Sequence, residues 1–188
     1  MRRLTVFNSI SLDGYFTDAH GDMSFAKGDP HDAEWNAFVG GNASGDGTLL
    51  FGRKTYEMMA SFWPTPMAAQ MMPDVAAGMN RLRKVVFSRS LSAATWNNTT
   101  LIAGDLVDAV RALKSGPGQG MVILGSGTIV AQLTQARLID EYQFVVCPVV
   151  LGAGRTMFDG VTDLLALRRI ESRAFANGNV FLRYEPVA

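Results

Sequence analysis

Three short segments of the 188-residue chain combine glycines, hydroxyls and cations in patterns that suit an anion. Gly125-Ser126-Gly127-Thr128 follows the apolar run Met121 to Leu124 and precedes a helical pattern. With no side chains at the glycines, backbone N–H groups and a helix N-terminus can approach a pyrophosphate closely. The alternative is a tight strand-to-helix turn that binds nothing. The segment is not a full dinucleotide fingerprint, because Val130 stands where a third glycine belongs, and no Walker loop is present. Gly52-Arg53-Lys54-Thr55 forms a second strand–Gly–helix junction. Cations in a first helical turn oppose the helix dipole by a few tenths to about 1 kcal/mol. An anionic ligand that draws on both dipole and cations would resolve the conflict; solvated basic residues are the plainer reading. Ser88-Arg89-Ser90 closes another apolar run, where a hydroxyl and a guanidinium suit a phosphate monoester or simply a polar turn. Together the three suggest one extended anion with a diphosphate and a separate monophosphate. NADPH has that shape.

The elements that must position these segments alternate between strand and helix, which predicts an α/β fold. Leu4 to Ile10 reads as a first strand, closed by the turn pair Asp13-Gly14. Trp35, Phe38 and Val39 fall on one helix face, and Gly40 to Gly47, with four glycines plus Asn42, Ser44 and Asp46, reads as a loop. Thr48 to Phe51 is a buried strand that Gly52 turns into a helix bearing Tyr56, Met59, Ala60 and Trp63, stopped by Pro64 and Pro66. Pro73 opens a helix with Val75, Met79 and Leu82 on one face. Strands follow at Lys84 to Ser88 and Thr100 to Ala103. Asp105 then caps a helix with Leu106, Val110 and Leu113, which Ser115-Gly116-Pro117-Gly118 breaks. After the strand Met121 to Leu124 comes a helix with Ile129, Val130 and Leu133, then a long strand, Glu141 to Val150. Ile170 to Phe175 and Val180 to Tyr184 flank Asn177-Gly178-Asn179 as a β-hairpin. The sheet is therefore expected to begin with crossover helices and end with an antiparallel pair, all within a single domain, 1–188.

Composition narrows the chemistry. Lys+Arg and Asp+Glu number 17 each, so nothing asks for a nucleic-acid partner, and 48% hydrophobic residues support a sizeable core. One cysteine, Cys147, excludes an internal disulfide and a multi-thiolate metal site. It lies in an apolar run and reads as a buried thiol. His20 and His31 have no ligand spacing with the nearby aspartates, so no metal is expected. Met58, Met59, Met67, Met71 and Met72 crowd a Pro-rich stretch, filling irregular packing or forming a plastic wall of a substrate pocket. No run reaches the roughly 18 apolar residues of a membrane span. The basic start could open a signal peptide, but Asn8, Ser9, Ser11 and Asp13 interrupt it, which leaves no membrane partner and a cytoplasmic default.

At this point the residues resemble a known family. Leu50-Phe51-Gly52-Arg53-Lys54-Thr55-Tyr56-Glu57 resembles the Gly-Arg-x-Thr-Trp-Glu motif of dihydrofolate reductases, and Val86-Phe87-Ser88-Arg89 is similar to their following strand and its 2′-phosphate contacts. Leu124 to Ile129 resembles their late Gly-Gly turn over the cofactor. Ser11-Leu12-Asp13-Gly14-Tyr15 and Pro148-Val149-Val150-Leu151-Gly152 look still more like the reductase domain of bifunctional riboflavin-biosynthesis deaminase-reductases. The resemblance covers essentially the whole chain, and no zinc-deaminase part accompanies it.

The resemblance implies a dihydrofolate-reductase-like three-layer α/β/α fold with a mixed, mostly parallel sheet of eight or nine strands and an antiparallel C-terminal hairpin. It implies NADPH as hydride donor, a small heterocyclic (pterin- or pyrimidine-like) or carbonyl-type acceptor, and a homodimer. Gly52, Arg53, Lys54 and Thr55 would hold the adenosine phosphates, with Ser88 and Arg89 near the 2′-phosphate. Gly125, Ser126, Gly127, Thr128 and Ile129 would cover the pyrophosphate, and Ser9, Ile10 and Phe16 would border the nicotinamide. For the proton the candidates are Asp32, Glu34, Asp13 or bound water. Asp32 and Glu34 lie near the place of the dihydrofolate-reductase carboxylate, but either also serves as an ordinary helix N-terminal acid, and Asp13-Gly14 is also a good turn. A non-catalytic nucleotide-binding module and a flavin-linked redox protein are the alternatives.

Overall fold

The structure is a computed structural model that describes residues 1–29, 31–43 and 45–187. Chain order is β1 (Leu4–Ser11), β2 (Tyr15–Asp18), a 3-10 turn (Ser24–Ala26), α1 (Ala33–Ala43), β3 (Thr48–Gly52), α2 (Arg53–Phe62), α3 (Pro66–Met71), α4 (Pro73–Arg81), β4 (Arg83–Phe87), β5 (Thr99–Ile102), α5 (Leu106–Ser115), β6 (Met121–Leu124), α6 (Gly127–Gln135), β7 (Glu141–Cys147), β8 (Gly154–Thr156), β9 (Leu167–Ala174) and β10 (Val180–Pro186). Eight strands form one sheet in the order β5-β4-β3-β6-β1-β7-β10-β9, and β2 pairs with β8 in a separate ribbon. The strands from β5 across to β7 are mutually parallel, while β10 runs antiparallel to both β7 and β9. This is the three-layer, mostly parallel sheet with an antiparallel terminal hairpin that the pattern and the resemblance predict.

Side-chain alternation along the strands sends residues to two helical layers. Leu4 and Val6 of β1, Leu50 of β3, Val85 of β4 and Ile123 of β6 bury against Val110 of α5 and Val130 and Leu133 of α6. On the other face Leu49, Phe51 and Val86 meet Tyr56 of α2 and Val75 and Met79 of α4. Beside them, Trp35 and Phe38 of α1 pack on Phe7, Phe175 and Phe181, with Trp35 and Phe175 edge to face at 5.1 Å.

Four expectations change. The loop drawn from Gly40 to Gly47 is helical as far as Ala43, with Ser44 outside the described residues. The aromatic face of α1 offsets Gly40 and Gly41, which cost about 1 kcal/mol each relative to alanine. Pro66 starts a helix as well as ending one, because Thr65 caps α3 by accepting from the Ala68 N–H at 3.2 Å. The long strand stops at Cys147, since Pro148 has no N–H to give a ladder. Finally β9 begins at Leu167 and β10 continues to Pro186, with a register shift between Arg183 and Tyr184. The β2–β8 ribbon and the 3-10 turn, all four residues or fewer, were not expected. Among the described residues no helix is long and apolar enough to cross a membrane, and no group of three His, Cys, Asp or Glu could hold a metal.

Candidate functional site

Parallel pairing brings the carboxyl ends of β4, β3, β6 and β1 side by side. In open α/β sheets ligands collect at this edge, in the crevice where the strand order reverses. Here β6 stands between β3 and β1, and its last residue, Leu124, lies opposite Phe7. Asn8 to Ser11 therefore extend beyond β6 along β7 alone, forming one wall of the crevice.

A short network joins two of the three segments, those at the starts of α2 and α6. Gly125 and Ser126 both adopt left-handed backbone, with φ +57° and +61°. The fully buried Asn8 holds that turn: its Oδ1 accepts from the Gly125 N–H at 2.6 Å and its Nδ2 donates to the Gly125 carbonyl at 3.2 Å. Ser126 Oγ accepts from the Gly52 N–H at 2.8 Å, and the Ser126 N–H donates to Thr55 Oγ1 at 3.1 Å. The starts of α2 and α6 are thereby locked together. Both glycines are explained by protein contacts. A Cβ at Gly125 would stand 2.8 Å from Thr55 Oγ1, and one at Gly127 would stand 2.7 Å from the Phe16 ring. Phe16, on the ribbon strand β2, thus lies against the first turn of α6.

The helix starts differ in a telling way. Asp32 accepts from the Trp35 N–H at the head of α1, Thr65 caps α3, and Asp105 caps α5. Helix α4 carries Asp74 in its first turn. Helices α2 and α6 have neither a capping side chain nor an acid there. Their first N–H groups and positive dipole ends are left for something else, and these are the two helices that the Ser126 network brings together.

The cations are not equivalent. Arg53 reaches both carboxylate oxygens of Glu57, at 3.1 and 3.2 Å, so it is shared with its own helix. Lys54 and Arg89 are exposed, Lys54 on α2 and Arg89 just past β4. The Ser88 hydroxyl accepts from the Leu91 N–H at 2.9 Å and the Ser90 N–H at 3.2 Å, which makes it the organiser of the turn that presents Arg89. Ile129 is buried behind Gly52, Thr128 is exposed, and Ser9 and Ile10 are half-buried on the wall beyond β6.

The three carboxylates considered as proton sources are engaged elsewhere. Besides capping α1, Asp32 accepts from Asn177 Nδ2 at 2.8 Å, and Glu34 pairs with Arg173 at 2.8 Å. Both are tied to the β9–β10 hairpin, so their helix-terminal reading accounts for them. Asp13 accepts from Ser11 Oγ at 2.6 Å and from the Leu151 and Gly152 N–H groups at 3.1 and 2.7 Å. The Ser11 hydroxyl first, then those amides, hold its carboxyl below the ordinary 3.8. A carboxylate kept ionised in this way is a clasp between the β1–β2 turn and the segment after β7, and a poor acid.

Because its folded pKa is depressed, the Asp13 clasp stabilises the loop above the ordinary value and weakens as pH falls through the folded one. Amide exchange at Gly152 is therefore expected to accelerate below pH 3.8, beyond the intrinsic trend, and to lose that extra step in Asp13→Ala. Equal protection in both proteins would show that the clasp does not hold the loop.

Comparisons with known proteins agree on the architecture. A family model described as the RibD C-terminal domain matches residues 2–181. YyaP of Bacillus subtilis (strain 168), an uncharacterized protein, is 25% identical over 183 residues, which are 97% of this chain and 94% of its own. A crystal structure of a Shewanella sp. PV-4 protein named for riboflavin biosynthesis superposes with a TM-score of 0.74 at 23% identity, covering 99% of each chain. A pyrimidine reductase-like protein from Corynebacterium diphtheriae gives 0.63 at 13% identity over 100% of this chain and 92% of its own. A Thermotoga maritima diaminohydroxyphosphoribosylaminopyrimidine deaminase/5-amino-6-(5-phosphoribosylamino)uracil reductase gives 0.66 at 13% identity; the match takes in 99% of this chain but 57% of that longer one.

Proposed function

We propose that this chain, which belongs to the RibD C-terminal domain family, is an NADPH-dependent reductase of a small heterocyclic or carbonyl-type acceptor. The observation that carries the reading is the pair of bare helix starts, α2 and α6, joined through Gly52, Ser126 and Thr55 on neighbouring parallel strands. Two uncapped N-termini side by side suit a diphosphate, and the exposed Lys54 and Arg89 flank them for a further phosphate. The residues thus fit a phosphorylated dinucleotide.

When bound, NADPH supplies a hydride at its nicotinamide. The chain's own part is positional. The first turns of α2 and α6 would hold the diphosphate, and Lys54, Ser88 and Arg89 the adenosine end. Ser9, Ile10 and Phe16 would border the nicotinamide, with Asn8 fixing the turn below it. With Asp13, Asp32 and Glu34 held by protein partners, bound water is the remaining candidate for the proton.

Titration with both dinucleotides tests the cofactor. NADPH is expected to bind more tightly than NADH, and Arg89→Ala to narrow that preference about tenfold, the worth of one charge-assisted phosphate contact. An unchanged ratio would remove Arg89 from the site. Stopped-flow oxidation of NADPH across pterins, pyrimidines and quinones tests turnover. Tight binding with no oxidation by any of them would leave a nucleotide-binding module.

A further inference from the structure

An open surface groove of about 430 Å³ runs along α5 to the amino edge of the sheet, where β3 and β4 begin. Its lining has two chemistries. Ala109, Ala112 and Leu113 of α5 form an apolar wall with Ile102 and Pro117, and Arg2 and Arg83 supply cations at one end. No carboxylate is among the lining residues.

Arg2 is rigidly placed. Its Nε donates to the Gln119 carbonyl at 2.6 Å, its Nη2 donates to Thr48 Oγ1 at 2.7 Å, and its guanidinium lies against the Gly118 backbone. Arg83 stands beside Thr48 in the β3–β4 register, and its guanidinium makes no hydrogen bond or ion pair with any described residue. Burial, and then the charge of Arg83, lower the pKa of Arg2, which marks the two cations as uncompensated neighbours.

The C-terminus of α5 also faces this end and attracts cations. Of its last carbonyls, Ala112 accepts from the Gly116 N–H at 3.1 Å and Lys114 from the Arg2 backbone N–H at 2.9 Å. Among the described residues, neither guanidinium donates to an α5 carbonyl. Paired like charges beside an apolar wall favour a ligand that is anionic at one end and hydrocarbon at the other.

We propose that this groove binds a small amphipathic carboxylate, its head between Arg2 and Arg83 and its hydrocarbon body along Ala109, Ala112 and Leu113. Its cationic end lies at the amino edge of the sheet, opposite the crevice, and only Ile102, whose carbonyl accepts from the Ser88 N–H, adjoins the carboxyl edge. The proposal does not depend on the reductase reading. Calorimetric titration of the full chain with octanoate tests it, with and without NADPH. Saturable one-site binding is expected, unaffected by NADPH. Arg83→Gln, at an exposed position, should weaken binding at least tenfold, and Ala112→Phe, which fills the groove, should abolish it while leaving the circular dichroism spectrum unchanged. The proposal is overturned if octanoate does not saturate, if octanol binds equally well, if Arg83→Gln binds as the parent does, or if NADPH displaces octanoate.

Discussion

Asn8→Ala is expected to destabilise the fold by about 2–4 kcal/mol and to weaken NADPH binding by at least tenfold. The substitution removes both partners of the Gly125 peptide, whose N–H and carbonyl lie in a buried setting, and an unmet buried polar group costs about 1–3 kcal/mol. The consequence for binding follows from backbone geometry. Ser126 is held left-handed without a glycine's freedom, and it carries the bond that joins the two bare helix starts. Freed from Asn8, the turn can relax, and the N–H groups of α6 lose their aim. Urea unfolding and dinucleotide titration measure the two effects. A stability within about 0.5 kcal/mol of the parent would mean that water replaces the amide and that Asn8 is not the organiser.

The second large effect lies away from the site. Lys84 is fully buried in β4, and its Nζ donates to the carbonyls of Met79, Asn80 and Leu82 at 2.8, 3.2 and 2.6 Å, with the Trp96 ring centroid 4.4 Å away. It closes the end of α4, where carbonyls have no helical partner. Lys84→Met keeps the volume and removes the donors, and is expected to cost about 2–3 kcal/mol. Burial also pulls the ammonium from its ordinary 10.5 down to about 8. Between those values the folded state holds fewer protons than the unfolded one, so stability should climb as pH rises through that window. The methionine variant should lack the climb. Denaturation at a series of pH values decides: a variant as stable as the parent, or one that keeps the climb, contradicts this role.

What could be read from residue order follows the range of the interactions involved. Periodicity within ten or so residues located nearly every long element, because burial of one face is a local pattern. It failed where the signal was short or was overruled by packing. Strands β2 and β8 have four and three residues, and α1 absorbs two glycines because its aromatic face is buried on β1, β7 and β10. The glycine junctions were visible because a left-handed turn or a close approach restricts the residue type. The partners were not. Asn8 reads as a polar interruption in an apolar strand, and only folding brings it to Gly125, 117 residues later. Likewise Asp13, Asp32 and Glu34 are legible as acids, but Gly152, Asn177 and Arg173, which occupy them, come from the far end of the chain.

The position of β6 in the sheet bears on how the chain is made. β1 and β3 leave the ribosome early, yet they are not neighbours: each pairs with β6, which is synthesised only after α5. A nascent chain that ends before Met121 therefore carries β1 with neither of its sheet neighbours and β3 with one edge unpaired, and the slot between them takes form only as β6 and β7 arrive. Such edges invite pairing with other chains, and closure of a slot over so long a separation is slow. Strand insertion, not helix formation, should set the folding rate, and protection from aggregation matters most in the interval before β6 emerges.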